Sequence, residues 1–412
     1  MKQAELFDDL LDAYAGCSES MSNQVLYEIL ARRGSVEAHD LRRTVPIGRS
    51  AEQHSPVKRR IRWHQQTLRA LGLLERDEGA GRGHWKLTPM GRRKLTPALP
   101  GKVLVGFSTD LGVALWAAAG DVFSKLDEPI VLCLSSLPYP LARPRAYGNP
   151  TAETYVDWAC KLLEPVAKHL VPGGTIALNI SNEIFVKGSP ARSLYVEHLV
   201  IALCQRLGLH LWERMVWENP SKPPGPLQWA SLTRQQLNAK YEPIYCFTND
   251  PKLLRSDNRR VLETHTKRQL ALMKAGGEQR TTSYGDGAHR LRPGSYGRVT
   301  PGRIPGNVLT IAHRCADKEA ARREAIAQGL PTHGAAMPLK LAQFLIEFLT
   351  EPGDLVVDPC GGWMTTGKAA EVTGRPWLCT ELMGEYVLGA ANRFRQAQGF
   401  ACFGQVHGLI EA

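Results

Sequence analysis

The chain has 412 residues, 43% of them hydrophobic, with 51 Lys and Arg against 40 Asp and Glu and a formal net charge of +11. That length supports two or three domains around a large core, and the charge favours an anionic partner without bearing on the fold. Nine cysteines without a CxxC pair or a Cys/His set at zinc spacing exclude a disulfide framework and call for no metal, which reads as reduced thiols in a cytosolic protein; no signal pattern opens the chain, and no apolar run reaches the length of a membrane span.

Residues 1–20 read as a short helix or arm. From about residue 22, Val25, Leu26, Ile29 and Leu30 recur at helical spacing. Arg59 to Leu74 is a second, basic amphipathic stretch containing Ile61, Leu68, Leu71 and Leu74. Two short strands around the Gly-rich turn at 79–83 follow it. A basic helix followed by a two-stranded wing is the outline of a winged helix-turn-helix. Lys58, Arg59, Arg60, Arg62 and Arg69 then form a face suited to phosphates; the plainer alternatives are a solvated helix face or a winged helix used for dimerisation. Thr96-Pro97-Ala98-Leu99-Pro100-Gly101 reads as a linker.

Beyond it strand and helix alternate. Strands are predicted at 102–107, 129–134, 174–180, 212–217, 243–248, 354–358 and 376–381, with helices at Tyr155–Leu170 and Ser193–Gly208 among those between them. Such alternation predicts an α/β fold, a sheet with helices on both faces. Residues 251–303 stand apart, with twelve Lys/Arg against four Asp/Glu. Lys252, Arg255, Arg259, Arg260, Lys267, Arg268 and Lys274 are expected in a helical stretch. Arg290, Arg292 and Arg298 are interleaved with Tyr284 and Tyr296 in a Gly- and Pro-rich segment.

Two segments carry the chemistry. The apolar run Ile130-Val131-Leu132-Cys133-Leu134 leads into Ser135-Ser136-Leu137-Pro138-Tyr139-Pro140, a polar group, a proline and an aromatic ring at one corner. About two hundred residues later, Asp354-Leu355-Val356-Val357 opens through Asp358-Pro359-Cys360-Gly361-Gly362-Trp363-Met364-Thr365-Thr366-Gly367 towards a helix. A strand turning through paired glycines into a helix is how a nucleoside cofactor is held at the C-terminal edge of a parallel sheet.

In that order the two motifs resemble those of the β-class, circularly permuted DNA amino-methyltransferases. The likeness runs from roughly residue 103 to 396. His333-Gly334-Ala335-Ala336-Met337-Pro338 is similar to the segment before the family's cofactor strand, and Glu381, after Pro376–Thr380, to its acidic ribose ligand. Trp85-Lys86-Leu87-Thr88-Pro89-Met90-Gly91 resembles the end of the Mrr-type winged helix. The resemblance implies a Rossmann-like sheet that binds S-adenosylmethionine. Its divisions would be a winged helix over 1–100, a target-base half over 101–250, a target-recognition region over 251–332 and a cofactor half over 333–412. It also implies double-stranded DNA as partner, a nucleoid-associated setting, a homodimer, and an endonuclease partner encoded elsewhere if the enzyme is not solitary.

The exocyclic nitrogen of adenine or cytosine is a poor nucleophile because its lone pair is delocalised into the ring. Acceptors held off the ring plane weaken that delocalisation, so positioning and polar preorganisation carry the rate, after the base has left the duplex. By the resemblance, Ser136 and the Leu137 carbonyl are the acceptors, Pro138 stiffens the corner and Tyr139 stacks on the base. Gly361 and Gly362 let the backbone approach the cofactor. Thr365 and Thr366 open a helix whose N-terminus suits a carboxylate. Asp358 orders the loop or contacts the cofactor, with Cys360 beside it. Glu381 takes the ribose hydroxyls, His333 and Ala335 lie by the methionine moiety, and Asp110 faces the adenine. Arg255, Arg259, Arg260, Lys267, Arg268, Arg290, Arg292 and Arg298 are expected on DNA.

Leu137, Cys360 and Trp363-Met364 depart from the family's pattern, and Met364 is expected to crowd the cofactor or bend its loop. Pro359-Cys360 is not read as a cytosine-C5 nucleophile, since it lies within the cofactor loop. Adenine N6 is slightly favoured as the target, because it is the commoner one among β-class relatives; a leading Ser favours cytosine N4. A DNA-binding regulator with an inactive methylase fold is the alternative of another class, and a structured-RNA methyltransferase a third reading.

Overall fold

A computed structural model describes residues 20–47, 52–70, 74–88, 95–141, 148–334 and 336–403, together with Leu6, Asp9, Leu10, Ala13, Tyr14 and Cys17. The first unit comprises β1 (Met21–Ser22), α1 (Asn23–Arg32), α2 (Ala38–Arg42), β2 (Val45–Ile47), β3 (Glu52–His54), α3 (Pro56–Ala70), β4 (Leu74–Arg76) and β5 (His84–Leu87). Ser22 caps α1, its hydroxyl accepting the Val25 N–H at 3.3 Å. Leu26 and Leu30 turn into the core while Val25 stays exposed. β5 lies between β1 and β4 and completes the expected wing. Along α3, Val57, Ile61, His64, Gln65 and Leu68 are buried, whereas Arg59, Arg62, Trp63, Gln66 and Arg69 are exposed. The two sets alternate at helical period, so the basic residues share one outer face.

The rest is a second unit built on one ten-stranded sheet. In chain order it contains β6 (Leu104–Ser108), β7 (Gly112–Trp116), α4 (Ala119–Phe123), β8 (Ile130–Ser135), α5 (Tyr155–Lys168), β9 (Leu170–Asn179), α6 (Tyr195–Leu207), β10 (His210–Glu218) and β11 (Tyr241–Thr248). There follow α7 (Lys267–Lys274), β12 (Thr282–Tyr284), β13 (His289–Leu291), β14 (Val308–Thr310), α8 (Ala316–Ala327), α9 (Leu339–Leu349), β15 (Val356–Asp358), α10 (Thr365–Val372), β16 (Trp377–Glu381), α11 (Gly384–Ala391) and β17 (Ala401–Cys402). The strand order is β14-β10-β11-β9-β8-β15-β16-β7-β6-β17.

Strands β9, β8, β15, β16 and β7 run parallel. Every residue of β8 is buried, as a strand covered on both faces requires. Side chains of α5 and α6 pack one face through Leu163, Leu199 and Leu203. Those of α9, α10 and α11 pack the other through Leu341, Leu345, Ala369 and Val387. The parallel strands all end at one edge, at Asn179, Ser135, Asp358, Glu381 and Trp116.

The expected strands and the two named helices are present. β7, β14 and β17 escaped the sequence reading; the last two are only three and two residues long. The basic segment is not one helical stretch. Arg259 and Arg260 sit in a 3-10 turn at Asn258–Val261, and α7 begins only at Lys267. α7 buries none of its residues. Beside it, β12 and β13 form a separate hairpin, near which two backbone segments cross. A Cβ on Gly277 would lie 2.5 Å from the Gly294 carbonyl oxygen and one on Gly297 2.4 Å from that of Gly276. Only glycine permits that approach.

Candidate active site at the C-terminal edge of the sheet

β8 ends at Ser135, and the next residue, Ser136, faces a different task. The Ser135 hydroxyl donates to Asp358 Oδ1 at 2.7 Å. This bond joins the two chemistry-bearing segments directly. Ser136 turns to the other side, its Oγ 2.8 Å from the Tyr139 hydroxyl. Both hydroxyls lie 3.4 Å from Asn179 Oδ1. Asn179 ends β9, is 2% exposed, and its Nδ2 donates to the Pro243 carbonyl at 3.4 Å. That donation fixes Oδ1 as the acceptor facing the two hydroxyls. One hydroxyl hydrogen then lies between Ser136 and Tyr139 and the other is taken by Asn179, so the serine oxygen keeps acceptor capacity. Leu137, standing where proline is usual, buries its side chain against the α5–α6 core. Ser136, Pro138 and Tyr139 remain partly exposed.

Asp358 is a loop-ordering residue. Its Oδ1 also accepts the Cys360 N–H at 3.0 Å, and its Oδ2 accepts the Thr366 hydroxyl at 2.8 Å. Burial pushes its carboxyl up to about 6, with the Ser135, Cys360 and Thr366 hydrogen bonds pulling the other way. Burial also holds the Cys360 thiol well above the usual thiol range, the opposite of what a nucleophile needs.

Glu381 stands at the end of β16. Its two oxygens accept the Gly362 N–H at 2.8 Å and the Met383 N–H at 2.9 Å. Burial raises its carboxyl to about 7, opposed by those N–H groups. His333 comes to the same loop: a Cβ on Gly362 would lie 3.1 Å from its Nε2. Its ring meets Tyr386 edge-on, with centroids 5.0 Å apart. Trp363 and Met364 turn into two separate cores. Trp363, 1% exposed, packs with Ala321, Ala325, Leu330, Ala336, Met383 and Tyr386. Met364, fully buried, joins the α9–α11 core. The loop accommodates Met364 by bending: it has φ 51°, in the left-handed region, immediately before α10. The Met364 Sδ takes the side on which Gly361 lacks a Cβ, 2.6 Å from where that atom would stand.

Sequence reasoning missed three residues here. Asn179 closes the target corner. Arg393 and Asp317 form an ion pair at 2.5 Å, the arginine side chain 1% exposed. Arg393 also donates to the Trp363 carbonyl and, at 3.0 Å, to the Thr365 hydroxyl. Thr365 is thus held by Arg393, and Thr366 by Asp358 and by the Leu134 carbonyl of β8 at 3.0 Å. A polar residue at the end of a strand at this edge was the available signal for Asn179; nothing local marks the other two.

The DNA methylase family, the N6/N4 methyltransferases, matches residues 130–392, and the Mrr N-terminal domain matches residues 4–96. The type II methyltransferase M.PvuII of Proteus hauseri is 34% identical over 270 residues, covering 65% of this chain and 79% of that protein. The solved PvuII DNA methyltransferase, described as cytosine-N4-specific, aligns with a TM-score of 0.55 and 29% identity over 70% of this chain and 87% of its own. The DNA adenine methyltransferase YhdJ of Escherichia coli K12 is 22% identical over 60% of this chain and 70% of its own. The chain is a DNA amino-methyltransferase.

The methylase does not bring every expected residue to this edge. Asp110 lies at the opposite one. β7 runs parallel to β16 from Gly112 beside Trp377 to Trp116 beside Glu381, so the turn before β7 is a strand length away from Glu381. Asp110 there donates its N–H to the Gln398 carbonyl at 2.9 Å. Arg255 and Arg260 are also at the far edge, where the chain enters β15. They pair with Asp354 at 3.1 Å and Glu351 at 2.7 Å. Arg259 closes on Asp257 at 2.6 Å, whose carboxyl the guanidinium holds down at about 2. Lys267, Arg268, Arg290, Arg292 and Arg298 are exposed. Among the described residues, no ion pair engages them. Ala335 lies outside the described residues. No helix among those described is long and apolar enough to cross a membrane.

Proposed function

We propose that the methylase transfers a methyl group from S-adenosylmethionine to the N4 amine of a cytosine flipped out of duplex DNA. The Ser135–Asp358 hydrogen bond carries this reading, because it sets the target corner and the cofactor loop side by side at one edge. Ser136 leads the target motif, and the relative M.PvuII is described as cytosine-N4-specific; both weigh against the adenine N6 expected from family frequency. Adenine N6 remains the second reading, with YhdJ on its side.

The residues of the cofactor loop fit a nucleoside sulfonium. Trp363 and Met364 are turned into cores, and the paired glycines let Met364 Sδ and the His333 ring approach the loop backbone where a Cβ would stand, at 2.6 and 3.1 Å, so the loop folds tightly between β15 and α10. Glu381 offers a carboxylate to ribose hydroxyls. The N-terminus of α10, at Thr365 and Thr366, favours the carboxylate of the methionine moiety. When bound, S-adenosylmethionine supplies an electrophilic methyl group. Ser136 Oγ and the Leu137 carbonyl accept the amino hydrogens, drawing the nitrogen towards sp³ character. Asn179 takes one hydroxyl hydrogen and the Ser136–Tyr139 bond holds the other, so the serine oxygen can still accept. Tyr139 closes on the ring. Preorganised acceptors of this kind contribute most where water is excluded.

The test is mass spectrometry of nucleosides from duplex DNA incubated with the protein and methyl-labelled S-adenosylmethionine, with Ser136→Ala alongside. Labelled N4-methylcytosine, lowered at least about a hundredfold in the variant, is the expected result. Labelled N6-methyladenine would favour the second reading. No label, with DNA binding intact, would favour a regulator built on this fold.

A further inference from the structure

The segment that leaves the winged helix is not a free tether. Leu95 to Ala98 runs along Leu382–Glu385, immediately after the acid Glu381, and the contact is reciprocal. Ala98 donates its N–H to the Leu382 carbonyl at 2.7 Å, and Gly384 donates to the Thr96 carbonyl at 3.1 Å. Pro97 and Met383 form an antiparallel bridge between them. The Thr96 N–H and hydroxyl both donate to the Glu385 carboxylate, each at 2.8 Å. Glu385 is 1% exposed. Leu95 packs against the cluster that holds Trp363, Met383 and Tyr386, so the strap also reaches the other side of the cofactor loop.

A buried carboxylate whose two oxygens are used by one threonine is a specific device, since such a charge is tolerated in a core only when satisfied. Its location gives it a task. The Met383 N–H supplies one of the two hydrogen bonds that orient Glu381, and Met383 is the residue bridged to Pro97. Where the strap lies thus sets where the Glu381 carboxylate points. We propose that Thr96 and Glu385 are positioning residues for the cofactor acid, through which the Mrr-type domain completes the cofactor site of the methylase. The proposal rests on Glu381 holding S-adenosylmethionine as read above.

The experiment uses the full chain and S-adenosylhomocysteine as the probe, by titration calorimetry, with the KM for S-adenosylmethionine and kcat measured beside it. Thr96→Val keeps the shape and the backbone N–H and removes only the hydroxyl; Thr96→Ser restores it. The expected result is a Kd about tenfold weaker in Thr96→Val, as for removal of a hydrogen bond to a charged group. KM should rise in step, kcat should stay within about twofold, and Thr96→Ser should recover the wild-type Kd. An unchanged Kd in Thr96→Val overturns the proposal. So does a Thr96→Ser variant as weak as Thr96→Val, or a fall in kcat that tracks a reduced folded fraction at constant Kd. If Thr96→Val does not fold, Glu385→Gln carries the same test with the same expected direction. A wild-type protein that fails to bind the probe overturns the cofactor reading itself, and the proposal with it; wild-type binding with an indifferent variant overturns the proposal alone.

Discussion

With Glu381 as the proposed ribose ligand, the cofactor site is coupled to pH. Its carboxyl is raised to about 7 by burial, so near neutrality it is partly protonated before any ligand arrives. Ribose hydroxyls donate to the charged form, so binding favours ionisation and affinity should rise with pH until it levels off above about 7. In the apo protein the sign reverses. A carboxyl raised on folding adds stability that is full below its unfolded value and is lost as pH climbs through about 7. Titrating S-adenosylhomocysteine between pH 6 and 8.5 should show the affinity rise. Glu381→Gln should bind weakly, without that slope, and should flatten the apo melting temperature between about pH 4.5 and 7. At this scale the placement of Asp358 and Glu381 at the edge was legible because each ends a buried strand with a polar group, and Ser136 and Tyr139 were singled out by the motif that follows β8. Asp110 was misplaced because nothing in its own sequence tells which end of a hairpin faces the ligand. Asn179 was overlooked because Ile176-Ala177-Leu178-Asn179-Ile180 reads as an ordinary strand unless the edge is already known.

Helix α10 depends on a neighbour far along the chain. Arg393 bridges Asp317 on α8 to the Trp363 carbonyl and the Thr365 hydroxyl, so α8 is fastened to the turn that opens α10. Removing Asp317 leaves the Arg393 guanidinium, 1% exposed, without its carboxylate. Asp317→Asn should therefore destabilise the fold by on the order of 3 kcal/mol in urea denaturation, and should weaken S-adenosylhomocysteine binding as the loop loosens. The helices α5 and α6 were legible from their apolar periodicity, which survives because each covers the sheet along its whole length. The 3-10 turn at Asn258–Val261 was not. Its basic residues satisfy carboxylates and carbonyls at the far edge, and a helical spacing of charges cannot distinguish that from a DNA-facing helix.

At the scale of the whole molecule, the basic residues expected on DNA divide into two populations. Arg255, Arg259 and Arg260 are spent on Asp354, Asp257 and Glu351, while Lys267, Arg268, Arg290, Arg292 and Arg298 stay exposed. The salt slope of duplex binding should fall by about 0.9 for every phosphate the protein no longer neutralises. Arg290→Ala with Arg292→Ala should thus weaken binding and flatten its dependence on salt. Arg255→Ala should leave both nearly unchanged and instead lower the melting temperature slightly. Fluorescence anisotropy across a salt series separates the two cases. The strand order also bears on how the chain is made. β8 needs β15 as its neighbour, yet Ser135 and Asp358 are 223 residues apart. At about 5–20 residues per second of synthesis, the edge of β8 waits ~10–45 seconds for its partner. During that time an apolar strand edge, the kind that seeds aggregation, has only β9 beside it. This permuted order keeps the centre of the sheet open until the cofactor strand leaves the ribosome, and slower synthesis lengthens that exposure in proportion.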